Sequence, residues 1–266
     1  MIPFSGQITP ETTDNLARTP LSQVVLVLVG LTFLKLLALT LLKGKARHGA
    51  AEVLDSVLIS GTLVFMLVRP FWFQTFWIPS GSMLPALELH DTLIADKFVY
   101  RHSKPKFQDI VVFRPPAIAR EEGQPEQDFI KRAIGLPGDL IQIRAGQLYR
   151  NGKVVNEPYV KRGPATADFR LVYDGGRYIP LNIYPEGINC RLPDIAPEFF
   201  VDERDYQRQD WLRYLPPVKI PSGHYLFIGD NRNGSYDGRA WGLVPQRDLI
   251  GRATFRFLPL SRAKRL

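Results

Sequence analysis

The most constraining feature of this 266-residue sequence is a run of apolar residues near its start. Residues 24–42 are almost wholly apolar, with Gly30, Thr32 and Lys35 among the few interruptions. A helix needs about 20 such residues to cross the hydrocarbon core of a bilayer. The run lies too far into the chain, and is too long, for the apolar core of a secretory signal peptide. It predicts a membrane-spanning helix at about 22–42, in which Lys35 reaches a helix neighbour or a lipid headgroup.

A second apolar run, residues 57–68, is shorter and leads into an aromatic segment at residues 69–77. Aromatic side chains gather at membrane–water interfaces, and Arg69 lies where a span would end. We therefore predict a second, short or tilted span at about 53–73, which completes a membrane anchor over residues 1–77.

Charge predicts the side of the membrane on which each part lies. The loop between the two apolar runs, residues 43–48, is basic, whereas the N-terminal tail carries Glu11 and Asp14 and only one basic residue, Arg18. The positive-inside rule places such a short loop in the cytoplasm and both ends outside. Everything after Trp77 would then lie on the outer, periplasmic side of a multi-pass membrane protein.

Beyond residue 77, helical periodicity is scarce and short β-prone runs recur between Gly, Pro, Asn and Asp residues. These runs are residues 91–97, 109–113, 129–134, 139–144, 147–149, 224–228 and 249–257. The Asn151-Gly152 pair is a strong hairpin signal. The pattern predicts a mainly-β catalytic domain of antiparallel, barrel-like sheets over residues 78–160 and 222–266. Residues 161–221 are rich in Pro, Tyr and charge, and we interpret them as an inserted β-rich subdomain.

Composition narrows the range of partners and cofactors. The net charge is +8, but the basic residues are interleaved with acids and prolines, so we expect no nucleic-acid partner. Cys190 is the single cysteine, which excludes an internal disulfide and a cysteine-based metal site; we assign it no role. Clustered metal ligands and a phosphate-binding glycine loop are both missing from the sequence, so we expect no metal and no cofactor.

Two short segments carry the chemistry. Residues 78–85 present Ser82 in a tight turn that contains glycine, and residues 129–132 place Lys131 inside an apolar, β-prone run. A serine becomes a useful nucleophile only when a neighbouring base takes its proton. A lysine can be that base only if desolvation lowers its pKa enough to leave it neutral. Together the segments predict a Ser–Lys hydrolase at a membrane surface.

A third segment, residues 229–242, is densely polar and follows an apolar, strand-like run. It cannot be a calcium-binding EF-hand loop, because Arg232 stands where a ligand is needed and Trp241 takes the place of the twelfth-position Glu. The loop offers one hydroxyl, that of Ser235, and an Asp237/Arg239 pair that can hold its shape. The alternative is an ordinary solvated turn.

The order of these segments resembles that of the bacterial type I signal peptidase (leader peptidase) family over nearly the whole chain. After the two spans, the family's motifs match residues 79–87, 91–97, 109–113, 129–139 and 229–242. There are departures, since the family usually has Asp, Asn and Ser at the positions of Asn233, Gly234 and Gly238. His90 stands where glycine is common.

The resemblance implies a role for each matching residue. Ser82 would be the nucleophile that forms an acyl-enzyme, and Lys131 the general base. Ser80 would place its hydroxyl in the oxyanion hole beside the backbone N–H of Ser82, and Ser235 would orient the lysine amine. The residues implied to support the loop are Asp230, Asp237 and Arg239.

The resemblance also implies a substrate and a location. The family's enzymes are serine endopeptidases that remove signal peptides from exported preproteins, cleaving after small residues in an Ala-x-Ala pattern. Preproteins and membrane lipids would be the partners, and oligomeric state stays open. The cytoplasmic (inner) membrane of a bacterium is the expected location, with a thylakoid or organellar membrane, and a lumenal catalytic domain, as the alternative.

Three other functions compete with this one. A Ser-His-Asp triad could use His90, His102 or His224, but none of these has a supporting motif. Residues 103–106 read as the S-x-x-K of penicillin-binding proteins, yet no Ser-Asp-Asn or Lys-Thr-Gly follows. The chain could also be a membrane-anchored β-rich binding module. Such a module would be expected to have lost the serine or the lysine, and this chain has both.

Overall fold

The structure is a computed structural model that describes residues 21–63, 73–120, 127–161, 163, 167–184, 187–190 and 210–266. Its first elements are two helices, α1 (Leu21–Leu41) and α2 (Gly44–Thr62). They pack against each other, and Lys35 Nζ lies 2.5 Å from Asp55 Oδ1 on the neighbouring helix. Lys35 therefore reaches a helix neighbour, which is one of the two predicted alternatives.

The predicted membrane spans are not confirmed. Within the described ranges, no helix has the combination of length and hydropathy that crossing a membrane requires. Helix α1 coincides with the first predicted span, whereas residues 64–72 of the second predicted span lie outside the described part of the chain.

The remainder of the described chain is mainly antiparallel β-structure, as the short β-prone runs predict. Its strands are β1 (Phe73–Trp77), β2 (Thr92–Asp96), β3 (Ile110–Phe113), β4 (Phe129–Gly135), β5 (Ile141–Arg144), β6 (Gln147–Arg150), β7 (Lys153–Val154), β8 (Asp168–Asp174), β9 (Arg177–Tyr184), β10 (Gly187–Cys190), β11 (His224–Ile228), β12 (Val244–Pro245), β13 (Leu249–Leu258) and β14 (Lys264–Arg265). Two single-turn α-helices, α3 (Val99–His102) and α4 (Gly238–Trp241), and several short 3₁₀ helices lie between these strands.

The first sheet holds the segments that carry the chemistry. Its strand order is β1-β2-β13-β3-β4-β11-β12, and β14 pairs with β13. Strands alternate their side chains between two faces, and here both faces are buried. Leu93 and Val112 belong to the apolar cluster on one face, whereas Phe113 stacks on Phe227 in the cluster on the other. This double burial explains why β3 reads as a continuous apolar run.

The second sheet joins strands from two parts of the sequence. Its order is β10-β9-β8-β5-β6-β7, so β5–β7 pair with the strands of residues 168–190. The chain passes from the first sheet to the second after β4. This point lies inside residues 78–160, which were predicted to belong to the catalytic domain. The β6–β7 hairpin turns at Asn151 and Gly152, whose φ values of 53° and 79° are those of the turn that this pair favours.

Candidate active site

Ser82 lies in a short 3₁₀ helix, Gly81–Met83, that follows the end of β1. The turn is anchored to the core by the buried side chain of Met83. Asn231 also holds the turn through two hydrogen bonds. Its backbone N–H donates to Ser82 O and its side-chain amide donates to Gly81 O, both at 3.0 Å. The loop after β11 therefore holds the serine in place, although the two residues are far apart in sequence.

Lys131 enters the site from the middle of β4, where it pairs with Val111 of β3. The side chain is only 6% exposed, and Nζ lies 2.8 Å from Ser82 Oγ and 3.1 Å from Ile130 O. Burial lowers the pKa of Lys131 to about 8, because it disfavours the charged ammonium more than the carboxylates of Asp237 and Asp230 stabilise it. The amine can therefore be neutral near physiological pH and take the proton of Ser82.

Ser80 lies beside the same serine at the entrance of the turn. Its hydroxyl donates to Ser82 Oγ at 3.2 Å. The backbone N–H of Ser82 is in the first turn of a short helix, where such groups have no partner within the helix. A hydroxyl and an N–H from one turn can stabilise a developing oxyanion, but that role of Ser80 stays a prediction.

Ser235 reaches the same region without contacting the lysine. Its hydroxyl is buried and near enough to Asp237 to contribute to the lowered pKa of that carboxylate, and no hydrogen bond joins it to the Lys131 amine. A Cβ on Gly229 would lie 2.2 Å from Ser235 Oγ and 2.6 Å from Ser82 O, so only glycine fits between the two segments. The predicted orienting role of Ser235 stays a prediction.

Asp237 and Arg239 form the ion pair that shapes the loop after β11. Arg239 donates to both carboxylate oxygens of Asp237 at 2.9 Å, and Gly229 N donates to the same carboxylate at 3.0 Å. Burial alone would raise the pKa of Asp237, but the charge and hydrogen bonds of Arg239 outweigh it and hold the pKa below its usual range. The carboxylate is thereby kept ionised and paired with the arginine.

Asp230 makes a second buried ion pair, with Arg132. Arg132 donates to its two carboxylate oxygens at 2.8 and 2.5 Å. A third pair joins Arg232 to Glu157 at 2.5 Å. Three further residues belong to these contacts although their roles were not predicted from the sequence: Arg132, Asn231 and Glu157. Arg132 and Asn231 were visible inside the motifs, but no sequence signal links Glu157 to its partner 75 residues away.

The departures from the family pattern have local explanations. A Cβ on Gly234 would lie 2.7 Å from the Asn231 amide nitrogen, so glycine leaves room for the amide that holds Gly81 O. His90 has a φ of 69°, in the left-handed region that favours glycine, which accounts for the glycine common at this position in the family.

A cleft of about 480 Å³ opens over Ser82 and Lys131. Its walls are of mixed polarity, and they come from the end of β1, the serine turn, the start of β4 and the loop after β11. The apolar and aromatic wall residues include Trp77, Ile78, Met83, Ile130 and Tyr236. Across the described ranges, no three His, Cys, Asp or Glu side chains are grouped closely enough to hold a metal ion.

The three histidines considered for a triad make contacts with residues other than Ser82. His90 contacts Trp77, His102 packs on Phe98, and His224 Nδ1 lies 3.0 Å from Ser222 O. Ser103 of the alternative S-x-x-K motif donates to Val99 O at the end of α3. Within the described part of the chain, Ser82 Oγ has hydrogen-bond contacts only with Lys131 and Ser80, so this geometry supports a lysine base.

Comparisons with known proteins show the family to which the chain belongs. The family model described as "Signal peptidase, peptidase S26" matches residues 51–258. A signal peptidase I from Leptolyngbya laminosa is 34% identical over 196 residues, which cover 73% of each chain. A probable thylakoidal processing peptidase 2 from Arabidopsis thaliana is 31% identical over 186 residues, 70% of this chain and 38% of that one.

Among solved structures, a crystal structure of a signal peptidase I from Enterococcus faecalis is similar at 23% identity and a TM-score of 0.33. The similarity covers 57% of this chain and 98% of that one. Because the family model matches more than half of the chain, the assignment does not depend on this weaker likeness. The chain belongs to the signal peptidase family, peptidase S26, and is a serine endopeptidase of the signal peptidase I class.

Proposed function

We propose that this endopeptidase removes signal peptides from exported preproteins through an acyl-enzyme formed on Ser82, with Lys131 as the general base. The observation that carries the proposal is the 2.8 Å contact between Lys131 Nζ and Ser82 Oγ in a buried site. The lowered pKa of the lysine supports the same role, because a base must be neutral to accept a proton. The relatives named signal peptidase I support the substrate class.

The reaction divides into two proton-balanced halves. Ser82 Oγ attacks the carbonyl carbon of the scissile bond while its proton passes to Lys131 Nζ. The Ser80 hydroxyl and the Ser82 N–H stabilise the oxyanion, and each such donor contributes about 3 kcal/mol to lowering the barrier. When the C–N bond breaks, the ammonium returns the proton to the leaving amine. A water then attacks the ester, again with the lysine as base, and restores the free serine.

The cleft supports a preference for small residues before the cut. Its walls beside Ser82 are formed by large apolar side chains, among them Ile78, Met83 and Ile130, which limit the size of a substrate side chain. An extended signal peptide would lie along this cleft as an added strand and use main-chain hydrogen bonds. Both features agree with the Ala-x-Ala pattern of the family's substrates.

The N-terminal helices support attachment to a membrane. Large apolar side chains on α1 are exposed, including Leu26 at 74%, Phe33 at 68% and Leu41 at 70%. Such a surface is favourable in contact with lipid. In our proposal α1 and the second apolar segment anchor the chain, and the catalytic domain lies on the outer or periplasmic side. The thylakoid lumen is the alternative, and the thylakoidal relative supports it.

Cleavage of a preprotein with an Ala-x-Ala site tests this proposal. We expect mature-sized product from the wild type and a loss of about 10³-fold or more in Ser82→Ala and Lys131→Ala. Ser103→Ala and Lys104→Ala are matched controls, because both residues are exposed, and these variants should cleave normally. Full activity in Lys131→Ala would overturn the base assignment. Binding without cleavage by the wild type would favour the binding module.

A further inference from the structure

Trp77 forms part of the wall of the cleft that holds Ser82 and Lys131. It is the last residue of β1, where its backbone pairs with Thr92 of β2. Its indole N–H is buried and has no hydrogen-bond partner among the described residues. Because no hydrogen bond fixes the ring, its orientation depends on the side chains that pack against it.

His90 is the aromatic side chain that contacts this indole. The two ring centroids lie 5.3 Å apart with 34° between the ring planes. Aromatic pairs at such separations attract each other beyond the effect of their buried area. The backbone holds the two rings in register, since His90 N donates to Ile78 O at 2.9 Å and Ile78 N donates to Asp91 O at the same distance.

The backbone of His90 is unfavourable for a side chain. With φ at 69°, the residue occupies the left-handed region, in which a Cβ is strained and glycine is favoured. Residues held in such conformations concentrate at functional sites. The chain therefore keeps an imidazole, against the local backbone preference, at the point where it packs on a wall of the cleft.

We propose that His90 is a positioning residue that holds the Trp77 indole as a rigid wall of the substrate cleft. This inference rests on the proposed function and deepens it by naming a residue that controls substrate affinity. His90 does not touch the reacting serine, so its loss changes the binding of the signal peptide and leaves the chemical step intact. The effect therefore falls on KM, while kcat stays near the wild-type value.

Steady-state kinetics on the full chain with an Ala-x-Ala preprotein test the inference. We expect KM to rise about three- to tenfold in His90→Gly and His90→Ala, with kcat within about twofold of wild type, as the loss of one aromatic contact predicts. His90→Phe keeps an aromatic ring and should retain the wild-type KM. His102→Ala is the matched control, because His102 packs on Phe98 away from the cleft and its loss should leave KM unchanged.

A double-variant cycle separates positioning from a general structural role. In a Trp77→Ala background, His90→Gly should raise KM no further, because the ring that it positions is gone. An unchanged KM in both His90→Gly and His90→Ala would overturn the inference, as would an equal rise in the Trp77→Ala background. Failure of the proposed function would differ, since the wild type itself would then not cleave.

Discussion

Lys131 and Arg132 are neighbours on β4, and both are buried cations, with 6% and 8% of their surface exposed. Their surroundings differ. Arg132 binds both oxygens of Asp230, donates to Gln108 O at 2.9 Å and lies 3.9 Å over the ring of Tyr159. Among the described residues, the Lys131 amine makes hydrogen bonds to a hydroxyl and a carbonyl and to no carboxylate. Neighbouring residues of a strand point to opposite faces, so one strand supplies both environments.

The comparison teaches how a protein can pair one buried cation with a counter-charge and leave its neighbour without one, as the proposed base requires. A buried charge must be paired or must give up its charge. Three buried carboxylates around this site are each paired with an arginine, in the pairs Asp230–Arg132, Asp237–Arg239 and Glu157–Arg232. Because the arginines occupy these acids, burial dominates at the lysine and its pKa falls to about 8. The ion pairs thus protect the reactivity of the amine as well as the fold.

Loss of the ion pair between Arg132 and Asp230 should have the largest effect on stability. Asp230→Asn leaves a buried guanidinium without its counter-charge, and we expect the free energy of unfolding to fall by about 3–5 kcal/mol. Urea unfolding measures the change. The paired replacement Arg132→Met with Asp230→Leu removes both charges and should regain most of the lost stability. A single variant as stable as wild type would contradict this account.

The lowered pKa of Lys131 predicts a pH dependence of activity. Because the base must be neutral, kcat/KM should rise about tenfold per pH unit up to the pKa near 8 and level off above it, about 100-fold in total from pH 6. The unfolded chain binds the lysine proton more strongly, so between pH 8 and 10.5 this group also makes stability rise with pH. A midpoint near 6.5, typical of histidine, would argue against a lysine base.

The smallest expected effect comes from the contact between the second sheet and the loop after β11. Asn182 of β9 donates to Arg239 O at 2.7 Å, so the second sheet braces the loop that holds Asp237. We expect Asn182→Ala to lower kcat by about two- to fivefold, the range of one hydrogen bond. Gln147→Ala is the control, since its amide donates to Val155 O at 2.8 Å inside the second sheet. Equal effects of both variants would indicate a loss of sheet stability instead.

Much of the first sheet could be predicted from local sequence. The β-prone runs at 109–113, 129–134 and 224–228 coincide with β3, β4 and β11 to within one residue at each end. The Asn-Gly turn was equally visible, because its required backbone conformation is a property of two residues. Pairing across the second sheet was not visible, since which strands meet depends on contacts between distant segments.

The candidate site divides in the same way. Ser82 and Lys131 were identifiable because a serine in a glycine turn and a lysine in an apolar strand are unusual in their local surroundings. Their 2.8 Å contact depends on β4 and the turn after β1 meeting in space. Asn231 was visible inside a motif, but its bonds to the serine turn were not, and the Glu157–Arg232 pair had no local signal at all. The backbone strain at His90 was equally hidden.

The sequence by itself therefore determined the family, the β-rich character of the chain and the two candidate side chains of the proposed reaction, Ser82 and Lys131, since motifs and periodicity are local properties. Only the tertiary structure decided which of the two buried cations on β4 has a carboxylate partner and which has none. Lys131 and Arg132 are adjacent in sequence and equally buried, and they differ in whether a carboxylate from a distant segment binds them. Charge pairing in a low-dielectric interior acts over a few ångströms in space, so distance along the chain cannot reveal it.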